Sequence, residues 1–234
     1  MDNFLKITIG LLFIGLAMLI GMQFYYTLFV FVTALKSGWV FGSIFVRLLV
    51  IIFTIIGLNL IFKSFEKTAS MKFIWTAIMG AILGFGISFI TPIYNSDYGD
   101  FSDSETLNFE VLDSVAADVI KESPEQKVVA FFSTDCGHCK TTAFFLGINQ
   151  EAGQSIPIYA FFNDYLDNVE VFLNENNGAN FRTHIIGDMN QFLHLSGAIF
   201  PSVFLLDESN NTIKHWSGDV VNYTALDEIL AIES

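Results

Sequence analysis

The chain has 234 residues, only two of them cysteine, and a formal net charge of −13. The charge is unevenly placed: residues 1–95 carry six basic and two acidic side chains (+4), whereas residues 96–234 carry five and 22 (−17). An acidic C-terminal part argues against nucleic acid as a partner, because phosphate binding needs a basic surface. Two cysteines are too few for a disulfide framework.

The N-terminal part reads as a membrane domain, residues 1–95. Its apolar stretches predict about three helices, over 4–35, 39–62 and 71–91, since roughly 20 apolar residues cross a bilayer. The first stretch is long for one span and short for two spans plus a turn, so it tilts or projects, and a fourth span stays open. Lys63, Lys67 and Lys72 make the second loop the more basic. The positive-inside rule therefore predicts that loop, and the N-terminus, to be cytoplasmic. The chain then leaves the third span on the outer side, which makes this an inner-membrane, multi-pass protein with a periplasmic or extracytoplasmic C-terminal domain. Arg47, inside the second stretch, is expected to snorkel to the interface; the functional alternative is a contact to a quinone head group, lipid or partner helix. Gly38-x-x-x-Gly42 and Gly80-x-x-x-Gly84 fit close helix packing. This part holds no cysteine, so it cannot run a transmembrane thiol relay alone. It is an anchor or a docking surface for a separate membrane redox protein.

Residues 96–104 read as an acidic, solvated linker. From 105 to 234 apolar runs alternate between strand and helix spacing. The expected order is an edge strand at 107–112, a helix at 114–121, a buried strand at 128–133, a helix at 139–149, a buried strand at 156–162, a helix at 166–174, a short strand at 183–186 and a helix at 189–195. A hairpin over 201–206 and 212–216 and a closing helix at 225–232 complete it. Such alternation, closed by a hairpin and helix, predicts a three-layer α/β domain. The fold class is thus a membrane α-helical domain followed by an α/β three-layer domain.

Both cysteines sit in Cys136-Gly137-His138-Cys139, after an apolar run and at the start of a predicted helix. Two intervening residues in a first helical turn let the sulfurs bridge. A helix N-terminus and an imidazole favour the thiolate, the attacking species. Four ligands for a metal are not at hand; His184, His194 and His215 read as ordinary surface or half-buried side chains. No cofactor is expected beyond the redox-active disulfide itself.

The run Val128 to Lys140, with Cys136-Gly137-His138-Cys139 inside it, resembles the active-site strand and helix of the thioredoxin superfamily. Gly197 to Asp207 resembles its second signature, a loop with a cis-proline before a strand. The resemblance covers about residues 105–234. It implies Cys136 as nucleophile, Cys139 as the buried resolving thiol, His138 as a stabiliser of the Cys136 thiolate, and Pro201 in cis opposite the pair. Phe200, through its backbone, and Gly137 would meet an extended substrate. Three positions depart from the pattern: Ala130 replaces a buried acid, Asp135 an aromatic residue, and Phe200 a smaller one. An acid at 135 opposes the thiolate and is partly countered by Lys140. The implied function is a membrane-anchored thiol–disulfide oxidoreductase (disulfide isomerase, oxidase or reductase) acting on exported protein thiols and disulfides. The alternative is a redox-inactive thioredoxin-fold module, tethered to a membrane domain that recruits a partner. A cytoplasm-facing reductase is a third reading.

Overall fold

A computed structural model describes residues 3–65, 97–120, 125–151, 156–218 and 221–231. The chain divides into two compact units, Met1–Asn95 and Ser96–Ser234. The predicted helix 71–91, with Gly80 and Gly84, lies outside the described residues.

In the first unit the helices are α1 (Asn3–Met22), α2 (Phe24–Leu35) and α3 (Trp39–Phe65). The stretch expected as one run over 4–35 is broken at Gln23, whose φ of −103° and ψ of 33° leave the helical region. Two separate contacts account for the break. Gly10 of α1 meets Gly57 of α3, where an added Cβ would lie 2.5 Å from the opposite carbonyl. Gly42, near the other end of α3, accepts Leu28 and Val32 of α2, which a Cβ would approach to 2.9 Å. The break lets each half follow its own contact. Lys36, with φ of 49°, closes α2 and returns its N–H to the Val32 carbonyl.

Along α3, Phe41, Ile44, Leu48, Ile52 and Ile55 face outward, while Ser43, Val46, Arg47, Val50 and Thr54 are buried. This is the reverse of a water-facing helix: the apolar stripe is outside, as lipid favours, and small or polar residues are inside. Ser43 and Thr54 donate their hydroxyls to the Val40 and Val50 carbonyls of their own helix. Asn3–Met22 and Trp39–Ser64 are long and apolar enough to cross a bilayer. Arg47 does not reach outward as expected. Its side chain is buried, and the guanidinium lies 4.8 Å from the centre of the Phe24 ring, a cation–π contact that replaces solvent.

The second unit is built on a five-stranded sheet in the order β3-β2-β1-β4-β5. The strands are β1 (Lys127–Phe132), β2 (Ile158–Phe162), β3 (Arg182–Ile185), β4 (Ser202–Leu206) and β5 (Thr212–Ser217). β1 is parallel to β2, and β2 to β3; β4 runs antiparallel to β1 and to β5. Every residue of β1, β2 and β4 is buried, as the continuous apolar runs require of central strands covered on both faces. The helices are α4 (Phe109–Ile120), α5 (Gly137–Glu151), α6 (Leu166–Glu175), α7 (Met189–Ser196) and α8 (Tyr223–Ala231).

On one face Val129, Phe131, Tyr159, Phe161, Phe204 and Leu206 pack with Leu112, Ala116 and Ile120 of α4 and Phe192 and Leu195 of α7. On the other, Phe172 of α6 packs against Phe132 and Phe162. The layered pattern is the one expected, but its edge is not. Residues 107–112 form no strand. Asn108 accepts the Val111 N–H and opens α4, which kinks at Ala116 (φ −145°, ψ 27°); Leu112, Ala116 and Ile120, on both sides of the kink, are buried against the sheet. The edge beside β2 is taken by β3 instead.

Residues 97–107 also differ from the free linker expected. They lie along β5 as a strap. Thr224 Oγ1 accepts the Gly99 N–H, and the Asn222 amide donates to the Gly99 carbonyl. Lys214 bridges Asp100 at 2.8 Å and Glu228 at 2.7 Å. Asp103 donates its backbone N–H to the His215 carbonyl, and Leu107 N–H donates to Thr212 Oγ1. The acids concentrated here meet basic and hydroxyl side chains of β5 and α8, and they cover an edge that would otherwise present unpaired backbone.

Candidate active site

Cys136 occupies the position before the first residue of α5. Its N–H donates to the Ser133 carbonyl, and its own carbonyl accepts from Lys140 N, so the turn into the helix is backbone-closed. From Ala143 to Asn149 α5 is buried except at Phe144, held between the sheet and a 3₁₀ turn over Gly178–Asn180. Gly147 is where that turn comes closest: a Cβ there would lie 2.0 Å from the Asn177 carbonyl oxygen. Only a missing side chain allows the approach, and it fixes the height of the helix above the sheet.

The two thiols are free and differ in setting. Cys136 is half-buried and its Sγ accepts the Cys139 N–H at 3.2 Å. This is a helix N-terminal donor aimed at sulfur, which favours the thiolate. Cys139 is fully buried and accepts the Ser133 N–H at 3.5 Å. Burial above all, then the contact with Cys136, pushes its thiol well above the ordinary range. One sulfur is thus reachable and donor-stabilised, and the other is hidden and protonated.

The Phe200–Pro201 bond is cis. The Phe200 carbonyl lies 3.7 Å from Cys136 Sγ, close enough for the thiol to donate to it. The Phe200 ring points away, stacked on Phe192 with centroids 5.4 Å apart. A bulky side chain is therefore accommodated because it packs inward while its backbone faces the thiol. Gly137 is exposed, with nothing within 4 Å of where a Cβ would be. Cys136, Cys139, Phe200 and Pro201, predicted from two segments 60 residues apart, are brought together.

His138 is not part of that group. It is exposed and makes no hydrogen bond or ion pair among the described residues. Asp135 and Lys140 are likewise exposed and form no ion pair with each other. Ala130 is fully buried in β1, and no acid stands in its place.

Two polar arrangements were not anticipated. Thr134 donates to Asp164, which also accepts from Tyr165 N at 2.7 Å and the Asn168 amide at 2.9 Å. The Thr134 hydrogen bond, with those of Asn168 and Tyr165, holds the Asp164 carboxyl below its usual range. The turn before Cys136 is thereby tied to the start of α6. An acid just after a buried strand and four residues before an Asn was the only local signal.

The second is a chain through His215, which was expected near the surface but is 1% exposed. Its Nε2 lies 2.9 Å from Ser202 Oγ and its Nδ1 2.7 Å from Asp103 Oδ1, and the ring stacks on Phe204. The strap and Phe204 bury it. Asp103, Glu105 and His215 gather their ligand atoms within 4.8 Å, but both imidazole nitrogens already have protein partners.

No protein-family model and no curated protein matches this chain. Among solved structures it resembles the thioredoxin domain of a thiol-disulfide oxidoreductase from Bacteroides vulgatus (17% identity, TM-score 0.38, 47% of this chain and 83% of that one). It also resembles StoA from Bacillus subtilis (18%, 0.39, 45% and 82%) and a SCO1/SenC family lipoprotein from Bacillus anthracis (14%, 0.39, 50% and 85%). The sheet order β3-β2-β1-β4-β5, with a Cys-x-x-Cys at the head of α5 and a cis-proline entering β4 opposite it, gives the C-terminal unit a thioredoxin-like fold.

Proposed function

We propose that this protein is a membrane-anchored thiol–disulfide oxidoreductase whose substrates are exported protein thiols and disulfides. The observation that carries the reading is the asymmetry of the pair: Cys136 half-buried with the Cys139 N–H on its sulfur, Cys139 fully buried behind it.

Acting as a reductant, the Cys136 thiolate attacks one sulfur of a substrate disulfide. The substrate S–S bond breaks, a mixed disulfide forms, and the first substrate sulfur leaves as thiolate. Cys139 then gives its proton to solvent and attacks Cys136 Sγ. The second substrate sulfur leaves, the substrate has gained two electrons, and Cys136–Cys139 has lost them. Oxidation of a substrate dithiol is the same path reversed. The Phe200 carbonyl, beside Cys136, offers an extended substrate a backbone acceptor next to the reacting sulfur. The membrane unit has no cysteine, so the pair is recharged by a separate thiol or disulfide protein in or at the membrane. The charge pattern of the loops supports an extracytoplasmic C-terminal domain, where disulfide chemistry is favoured.

The test is the reduction potential of the pair in the full chain in detergent, equilibrated against glutathione buffers. A value above about −200 mV makes it an oxidant or isomerase; one near −270 mV makes it a reductant fed by an external donor. Absence of any reversible bridge, or full function of Cys136→Ser in cells, refutes the redox reading in favour of a tethered binding module. A topology reporter fused after Ser234 that reads cytoplasmic refutes the orientation.

A further inference from the structure

We infer that the chain Asp103–His215–Ser202 is a positioning device that holds the substrate-facing backbone at Phe200 and Pro201 in place, so that the strap leading into the domain sets how well the site accepts a polypeptide. The inference rests on the oxidoreductase reading above.

Ser202 follows Pro201 directly and is fully buried. Its hydroxyl reaches His215 Nε2 at 2.9 Å, and His215 Nδ1 reaches Asp103 Oδ1 at 2.7 Å. Burial alone would raise the Asp103 carboxyl, but hydrogen bonds from Glu105 N and the His215 ring outweigh it and hold the group below its usual range. An ionised carboxylate only accepts, so Nδ1 carries the proton. Nε2 is left to pair with the Ser202 hydroxyl, and each of the three groups has a partner. Ser202 and His215 are buried, so Ser202→Ala leaves His215 Nε2 without its partner, and loss of Asp103 leaves Nδ1 with Glu105 Oε2 at 3.7 Å in place of a hydrogen bond at 2.7 Å.

Glu105 of the strap lies beside the same loop: a Cβ on Gly197, where the loop leaves α7, would lie 2.9 Å from Glu105 Oε1. Just after β5, Gly218 N–H holds the Pro201 carbonyl at 2.8 Å. The end of the loop is therefore held by Gly218 directly and by the strap residue Asp103 through His215. The Phe200 carbonyl it carries stands 3.7 Å from Cys136 Sγ.

A device that sets backbone position matters to a substrate that pairs with that backbone and not to one that only reaches the sulfur. The experiment compares the full chain in detergent with Asp103→Ala, Asp103→Asn and Ser202→Ala on two probes. One is a cysteine-bridged peptide disulfide, the other hydroxyethyl disulfide, which has no peptide groups. Asp103→Ala and Ser202→Ala are expected to lose roughly tenfold or more in kcat/KM on the peptide, the scale on which a misplaced site slows, with the small disulfide unchanged. Asp103→Asn, which keeps an acceptor for Nδ1, is expected to lose less. Lys214→Met removes the ion pairs to Asp100 and Glu228 but leaves the Asp103–His215–Ser202 chain in place, and is expected to change neither rate; a loss on the peptide as large as that of Ser202→Ala would overturn the inference. Equal losses on both probes, or no loss on the peptide in either Asp103→Ala or Ser202→Ala, overturn the inference while leaving the redox reading intact. An unreactive unmodified chain overturns both.

Discussion

Mixing the reduced full-length protein with dithiobisnitrobenzoate would separate its two thiols in time. Attack by Cys136 releases one coloured thiolate, and resolution of the resulting mixed disulfide by Cys139 releases the second. Cys139 is fully buried, and burial pushes its thiol above the ordinary range. The sign follows: burial disfavours the charged form, so the thiolate is the rarer species and grows as pH rises. Even an unperturbed thiol, with a pKa of about 8.5, is only a few per cent ionised at pH 7, and Cys139 must be less so. Below its pKa the thiolate fraction, and with it the second release, rises about tenfold per pH unit. Ala130 offers no carboxylate to take the proton, which leaves solvent as the base. The prediction is a second phase that climbs with a slope near one from about pH 6 to 9 without levelling. The first phase is release by the half-buried Cys136, whose sulfur is reachable without opening the fold. A second phase that reaches its plateau below about pH 8, inside the ordinary thiol range, would show that burial does not control Cys139.

Other outcomes can be checked more simply. Gly147→Ala drives a Cβ into the Asn177 carbonyl, 2.0 Å away, and should cost about 1–3 kcal/mol as an overpacked site, read as a lowered urea midpoint for the second unit. Asp100 is held below the usual aspartate range first by its hydrogen bond from Lys214, and Asp103 is also lowered. A lowered native pKa gives stability that is present above the unfolded value of about 3.9 and is lost as pH falls below it. The strap should therefore loosen in acid, seen as lower protection factors for amide exchange over residues 99–107 below about pH 4; protection unaffected by acid would contradict it. Gly57→Leu places side-chain atoms where Gly10 O lies 2.6 Å from a Cβ, and should part α1 from α3, seen as a lower thermal midpoint of helicity in detergent.

How far the sequence could be read depends on the range of the forces involved. The buried strands β1, β2 and β4 were legible because continuous apolar runs need cover on both faces. The Cys136–Cys139 pair was legible because four residues in one helical turn contain their own geometry. The break at Gln23 was not, since it answers to contacts with Gly42 and Gly57 on a helix later in the chain. Nor was the start of α4: Leu107 to Leu112 reads either way until the Asn108 cap and the sheet choose the helical stripe.

A membrane-compatible apolar part, an acidic α/β part and a dithiol at the head of a helix are all readable along the chain. These follow from composition, hydrophobic period and local spacing, each contained within a few turns of chain. It took the packed fold to make Phe200 present its carbonyl to Cys136 and turn its ring away, and to bring Asp103 across to His215. Those outcomes depend on which residues far apart in the chain share a buried space, where a polar group must find a partner or stay unmet.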